Sequence, residues 1–193
     1  VAALANGPPH EAGAKVDRLH LVRVALDASE SGLTAATGDG ATTDPGVPLY
    51  GQQTAIVDRA LAAGWDGIVF HIPRAKTQDH ADLATTLDRA ADYARRARPN
   101  VIIGISGDET FLARSGVVDT IDAVFKTGFF PARRHAAEDS AAVLASRHYL
   151  DRAHRAGRRV FIAGEAQTAE RALGMTDLAR TFGYVPSVTV VRY

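Results

Sequence analysis

A small set of positions places a reactive or charged side chain where an apolar run stops: Asp27, His71, Ser106 with Asp108 and Glu109 behind it, Lys126 with Thr127, and Glu165. His71 could serve as a general base, because imidazole ordinarily titrates near neutral pH. The plain alternative is a hydrogen-bonded histidine at the rim of a core. Lys126 is one of three lysines and ends an apolar run, where a cation is unfavourable unless paired. It reads either as an anion-binding or Schiff-base lysine, or as a lysine that reaches the rim or pairs with Glu165. Glu165 and Asp27 are the carboxylates best placed to work together in a hydrolysis. Asp108 and Glu109 follow Ser106-Gly107 at an expected helix start, where acidic residues also serve as caps.

Positioning these groups falls to an alternation of strands and helices. Apolar, β-rich runs at residues 19–26, 68–72, 101–105, 121–126, 159–163 and 188–191 read as strands. Between them, helical spacing of apolar residues predicts helices over 53–63, 80–98, 139–156 and 168–182, with a short one over 108–114. Gly157 and Gly183 stand where the last two long helices should stop. Strands with near-continuous apolar character, joined through helices, imply parallel pairing and right-handed crossovers. The fold class expected is therefore α/β, a (β/α) TIM-barrel-like domain over 19–193, incomplete or atypical in its first units. An open parallel α/β sheet is the alternative, since six strands are visible and a closed barrel takes eight. Residues 1–18 read as a disordered lead-in. Residues 28–48 lack an apolar pattern and read as a functional or mobile loop.

Composition bounds the function. The chain has 193 residues, with 22 Lys+Arg against 22 Asp+Glu, so its net charge is zero. Neutrality argues against nucleic acid or an anionic membrane as the main partner. No apolar run approaches the length of a bilayer span. There is no cysteine, which excludes disulfides, thiolate metal sites and cysteine nucleophiles. The other histidines, His10, His20, His80, His148 and His154, lack metal-ligand spacing such as H-E-x-x-H, so no metal is expected. No G-x-G-x-x-G follows the first strand, so no dinucleotide or other cofactor is expected. Ala3-Leu4-Ala5 fits the small-x-small pattern of a signal-peptidase site as well as it fits a flexible chain end. An extracellular or periplasmic location follows from the first reading.

Three stretches carry a family resemblance. Ala62-Ala63-Gly64-Trp65-Asp66-Gly67-Ile68-Val69-Phe70 is similar to a helix–strand junction written aGfDGvyLD. Ile121-Asp122-Ala123-Val124 with Phe129-Phe130 is similar to iDgv…Eslf. Tyr149 to Val160, followed by Ala179-Arg180-Thr181-Phe182-Gly183-Tyr184-Val185-Pro186, is similar to yL..ak.aGk.V…a…GfvP. In that order, over about residues 50–193, they resemble the endo-α-1,4-polygalactosaminidase-like barrels of glycoside hydrolase family 114. The resemblance implies a (β/α) barrel acting on polysaccharide outside the cell.

The departures bear on chemistry. The family's strand-end carboxylate position reads His71, a second acidic position reads Arg74, and the Glu after iDgv falls at Thr127 or Lys126. Most glycosidases need two carboxyl groups across the scissile bond, which a His/Arg/Thr set does not supply. The expected function is accordingly a divergent or non-catalytic glycan-binding relative. Its alternatives are a glycosidase using a relocated Glu165–Asp27 pair, or a small-molecule α/β enzyme using Lys126 or His71. Arg74, Asp108, Thr127, Phe129 and Phe130 are the expected substrate contacts, the two phenylalanines through sugar stacking if they are not core. The basic loop Arg133-Arg134-His135 could meet an anionic glycan. An exposed edge on an open barrel would invite self-association.

Overall fold

The computed structural model describes residues 2–4, 19–26, 49–74, 79–130 and 137–191. Asp27, the 28–48 segment and Arg133-Arg134-His135 lie outside the described residues. The chain forms two compact units, Val1–Asp108 and Glu109–Tyr193.

Unit 1 runs β1 (Ala2–Leu4), β2 (Leu19–Ala25), α1 (Leu49–Ala62), β3 (Gly67–Ile72), α2 (Asp79–Ala97) and β4 (Ile102–Gly107). Its strands pair in parallel and in sequence order, β1 with β2, β2 with β3 and β3 with β4. Val22, Val24, Ile68, Phe70, Ile72, Ile103 and Ile105 alternate onto one buried face. Leu83, Leu87, Ala90, Ala91 and Ala94 recur at helical spacing on α2 and are equally buried, as are Ile56, Val57 and Ala60 of α1. The two helices pack on each other. The β1 strand falls inside the stretch that lacks any apolar period, and its pairing with β2 rests on backbone bonds that such patterning does not record.

The Gly64-Trp65-Asp66-Gly67 stretch is structural. Trp65 is buried, and the Asp66 carboxylate accepts from the His20 amide at 2.8 Å while the Asp66 amide donates to the His20 carbonyl. Arg98, just beyond α2, donates to the Leu61 carbonyl at 2.9 Å and to the Trp65 carbonyl. A guanidinium there adds a donor to the Leu61 carbonyl at the end of α1, which the Gly64 amide also meets, and supplies one to the Trp65 carbonyl in the turn that follows.

Unit 2 opens with a 3₁₀ turn (Glu109–Ala113) and α3 (Val117–Thr120). It continues through β5 (Ala123–Thr127), α4 (Ala137–Arg155), β6 (Arg159–Ala166), α5 (Ala169–Thr181) and β7 (Val185–Val190). Again the strands are parallel and sequential, β5 with β6 and β6 with β7. Phe129 is buried, with Phe130, Phe182 and Tyr184 presented edge-on around it. Below this cluster Tyr184 donates to Asp151, Arg147 meets the same carboxylate at 3.1 Å, and the Arg147 guanidinium lies 4.1 Å over the Phe182 ring. Burial first, and the bond to Asp151 second, push the Tyr184 phenol above its ordinary value.

The α/β class with parallel strands stands. Among the described residues there are seven strands, one fewer than the eight of a closed (β/α)₈ barrel. The last strand begins at Val185 rather than residue 188 and so contains Pro186. Proline cannot donate to a ladder and is tolerated on an outer strand, which is the place β7 holds in unit 2. The short α3 went unread because four residues cannot establish a helical period.

Arg98→Ala removes two charge-assisted bonds at the α1 terminus and should cost about 1.5–3 kcal/mol of stability. Urea unfolding followed by circular dichroism would measure it, and an unchanged midpoint would show that the two carbonyls find other donors.

Candidate functional site

Side-chain alternation sorts the polar residues of unit 2 onto opposite faces. The register sets Thr127 beside Ala163 and Ser187, and Glu165 beside Thr189, on one face. Lys126 falls beside Ile162 on the other. At the carboxyl ends of β5, β6 and β7 lies a cleft of about 560 Å³ lined by Thr127, Phe130, Glu165, Gln167, Arg171, Met175, Ser187 and Thr189, among others. Glu165, Thr127, Ser187 and Thr189 are exposed, and Phe130 is half-buried. Gly164 shapes the apolar wall: a Cβ there would lie 2.6 Å from Met175 Cε and 2.7 Å from Phe130 Cδ2. Only a residue without a side chain lets those two groups close against the strand.

Lys126 does not pair with Glu165. Its ammonium lies 2.6 Å from Glu109 Oε2, with both side chains largely buried. The reason is the period of two along a strand, which turns Lys126 away from the face that carries Glu165. Burial alone would raise the Glu109 carboxyl. The Lys126 hydrogen bond and charge, with bonding from its own backbone amide, hold it below its ordinary value instead. A lysine held in this way is engaged as the structural partner of Glu109.

Unit 1 carries a second polar cluster at the carboxyl ends of β3 and β4. The register aligns His71 with Ser106, and His71 Nδ1 lies 3.2 Å from Ser106 Oγ. Both residues are half-buried. Burial, then the charge of Arg23, lowers the His71 pKa from its ordinary 6.5, which leaves the ring neutral at pH 7. Asp108 sits 3.6 Å from Nε2 of the buried His80, tying the first turn of α2 to the end of β4. Arg74 is exposed just past β3.

The expected site residues therefore fall into separate groups. Glu165, Thr127 and Phe130 share the cleft of unit 2. Phe129 is core and does not line it. Lys126 and Glu109 neutralise each other on the opposite face of that sheet. His71 and Asp108 belong to unit 1, each with a partner of its own. Glu165 is the one carboxylate lining the cleft among the described residues, so these residues do not assemble the two-carboxylate arrangement of a glycosidase. Ser187, Thr189, Gln167 and Arg171 went unread because each is locally an ordinary polar residue. The alternation of Ser187 and Thr189 on the last strand was the available signal.

No protein-family model matches the chain, and no curated protein matches it. No helix among the described residues is long and apolar enough to cross a membrane. Nor do the described residues group three or more His, Asp or Glu side chains in a way that could hold a metal ion.

The Lys126–Glu109 pair makes an acid-range prediction with a definite sign. With its pKa below the ordinary 4.5, Glu109 adds stability above that pH, and the contribution fades as pH falls through the lower folded value. In Lys126→Met, burial acts on Glu109 without its cation, and the carboxyl should rise instead. Urea midpoints between about pH 3 and 6 should climb with pH more steeply in the wild type than in the variant. Parallel curves would mean the pair contributes nothing to stability.

Proposed function

We propose that the chain is a glycan-binding relative of the family 114-like barrels, holding a short oligosaccharide in the cleft of unit 2. The observation that carries this reading is the lining of that cleft: hydroxyls from Thr127, Ser187 and Thr189, an amide from Gln167, and one carboxylate, Glu165, rather than a pair. Sugars are recognised by several convergent donors and acceptors with an aromatic ring against an apolar face, and Phe130 supplies the ring. A single carboxylate can accept from hydroxyls or pair with the ammonium of an amino sugar. Without a facing acid it cannot both protonate a leaving group and activate a nucleophile. The three sequence stretches that resemble the family, and the loss of its acids at His71, Arg74 and Thr127, support the same reading. An extracellular or periplasmic location forms part of this proposal.

The test is calorimetric titration with galactosamine and galactose oligomers, run beside mass spectrometry of the same mixtures. Binding is expected without release of shorter products. Glu165→Gln should weaken amino-sugar binding about tenfold or more, the scale of one charge-assisted bond, and neutral-sugar binding less. If no oligomer binds at millimolar concentration, the glycan reading fails. Products that appear with wild type and vanish in Glu165→Gln would replace it with an active hydrolase.

A further inference from the structure

We propose that Ser106 and His71 form a nucleophile–base pair in unit 1 that hydrolyses small carboxylic esters by acyl transfer. The inference rests on unit 1 alone and is independent of the glycan reading. Three features of the pair carry it: contact, rigidity and access.

The contact is set by backbone. In the parallel ladder of β3 and β4, His71 and Ser106 are register partners, so their side chains leave the sheet on the same face. The Nδ1–Oγ distance of 3.2 Å is the separation at which an imidazole can take a hydroxyl proton as that oxygen attacks. The flanking residues hold this register tightly. Phe70, Ile72 and Ile105 are nearly inaccessible to solvent, so sliding one strand by a residue would carry His71 or Ser106 into that sealed face.

The ring position is also constrained. Gly107 adopts φ +99°, and a Cβ built there would lie 2.9 Å from His71 Cε1, 3.0 Å from Nδ1 and 2.0 Å from the Ile72 carbonyl oxygen. The glycine is thus required twice, by its backbone conformation and by the edge of imidazole that faces Ser106. Both side chains remain half-buried rather than sealed, at the carboxyl ends of the strands where open α/β sheets present their ligand sites. The neutral state of His71 suits a base. Arg23, one strand over, is close enough for its charge to favour the neutral ring.

The reaction balances without any cofactor. Ser106 Oγ attacks the ester carbonyl carbon as its proton passes to His71 Nδ1, and the carbonyl π pair moves to oxygen. Collapse of that tetrahedral species breaks the bond to the alkoxy group, which leaves as the alcohol with the proton from His71. Water then attacks the acyl-serine with His71 again as base, releasing the carboxylic acid and restoring the hydroxyl. One ester and one water give one acid and one alcohol.

The experiment uses the full chain with an alkyl fluorophosphonate, in which Ser106 Oγ would displace fluoride and form a stable Oγ–phosphorus bond. Intact-mass spectrometry should show one adduct, mapped to the peptide containing Ser106. Ser106→Ala, checked for folding by circular dichroism, should lose it. His71→Gln keeps a polar side chain of similar reach and should label about 100-fold more slowly, the usual scale of a general base. Wild type should also release p-nitrophenol from p-nitrophenyl acetate in a burst that Ser106→Ala lacks. An unlabelled wild-type chain would overturn the proposal. So would an adduct that survives Ser106→Ala, or a His71→Gln variant that labels at the wild-type rate.

Discussion

In both units the strands are apolar on both faces over most of their length, and the polar groups of interest fall toward the strand ends. Burying Val24, Ile68, Phe70, Ile72, Ile103 and Ile105 on one face and Val69 on the other in unit 1, with Val160, Ile162 and Phe125 in unit 2, leaves mainly the strand ends for side chains that need water or a partner. Each buried aliphatic group stabilises its unit by about 1.5–3 kcal/mol relative to exposure. A one-residue slip of any strand would forfeit several of these at once. The register is therefore held far more firmly than any polar contact could hold it. Polar pairs such as His71–Ser106 are consequences of the register and not its cause.

Charge is handled by the same geometry. Lys126 lies on the buried-side alternation of β5, and Glu109 from the preceding 3₁₀ turn meets it there. Asp151 is shared between Arg147 and Tyr184. These ions are occupied in joining helices to strands, and an occupied ion is a poor reagent because its partner must be displaced before it can act. Glu165 differs, standing exposed at the edge of a cleft in which the other polar side chains are hydroxyls, one amide and one arginine. The contrast between Glu109 and Glu165 separates a structural carboxylate from one available to a ligand.

A parallel α/β arrangement by itself hosts many chemistries, so the functional argument rests on the two clusters. They differ in kind. The cleft of unit 2 has volume, several hydrogen-bonding groups and an aromatic wall, but one acid. The cluster of unit 1 has a single close contact between a hydroxyl and a neutral imidazole, with a glycine that admits the ring. The first suits recognition of a polar ligand, and the second suits a bond-making step.

Much of the architecture was legible in the sequence. Apolar runs alternating with helical spacing marked β2 through β6 and the four long helices, because burial on one face imposes a period on every residue of an element. Partner choice was not legible. His71 and Ser106 are 35 residues apart, and Lys126 and Glu109 are 17 apart; nothing in the local pattern of either segment names the other. Lys126 pairs in register with Ile162, and Glu165 lies three positions further along β6, an odd number that reverses the face and sets the two on opposite sides. The sequence by itself determined which segments become strands and helices, since that is a local matter of period and propensity. Only the tertiary structure decided which polar side chains meet, since that depends on the register between segments distant along the chain.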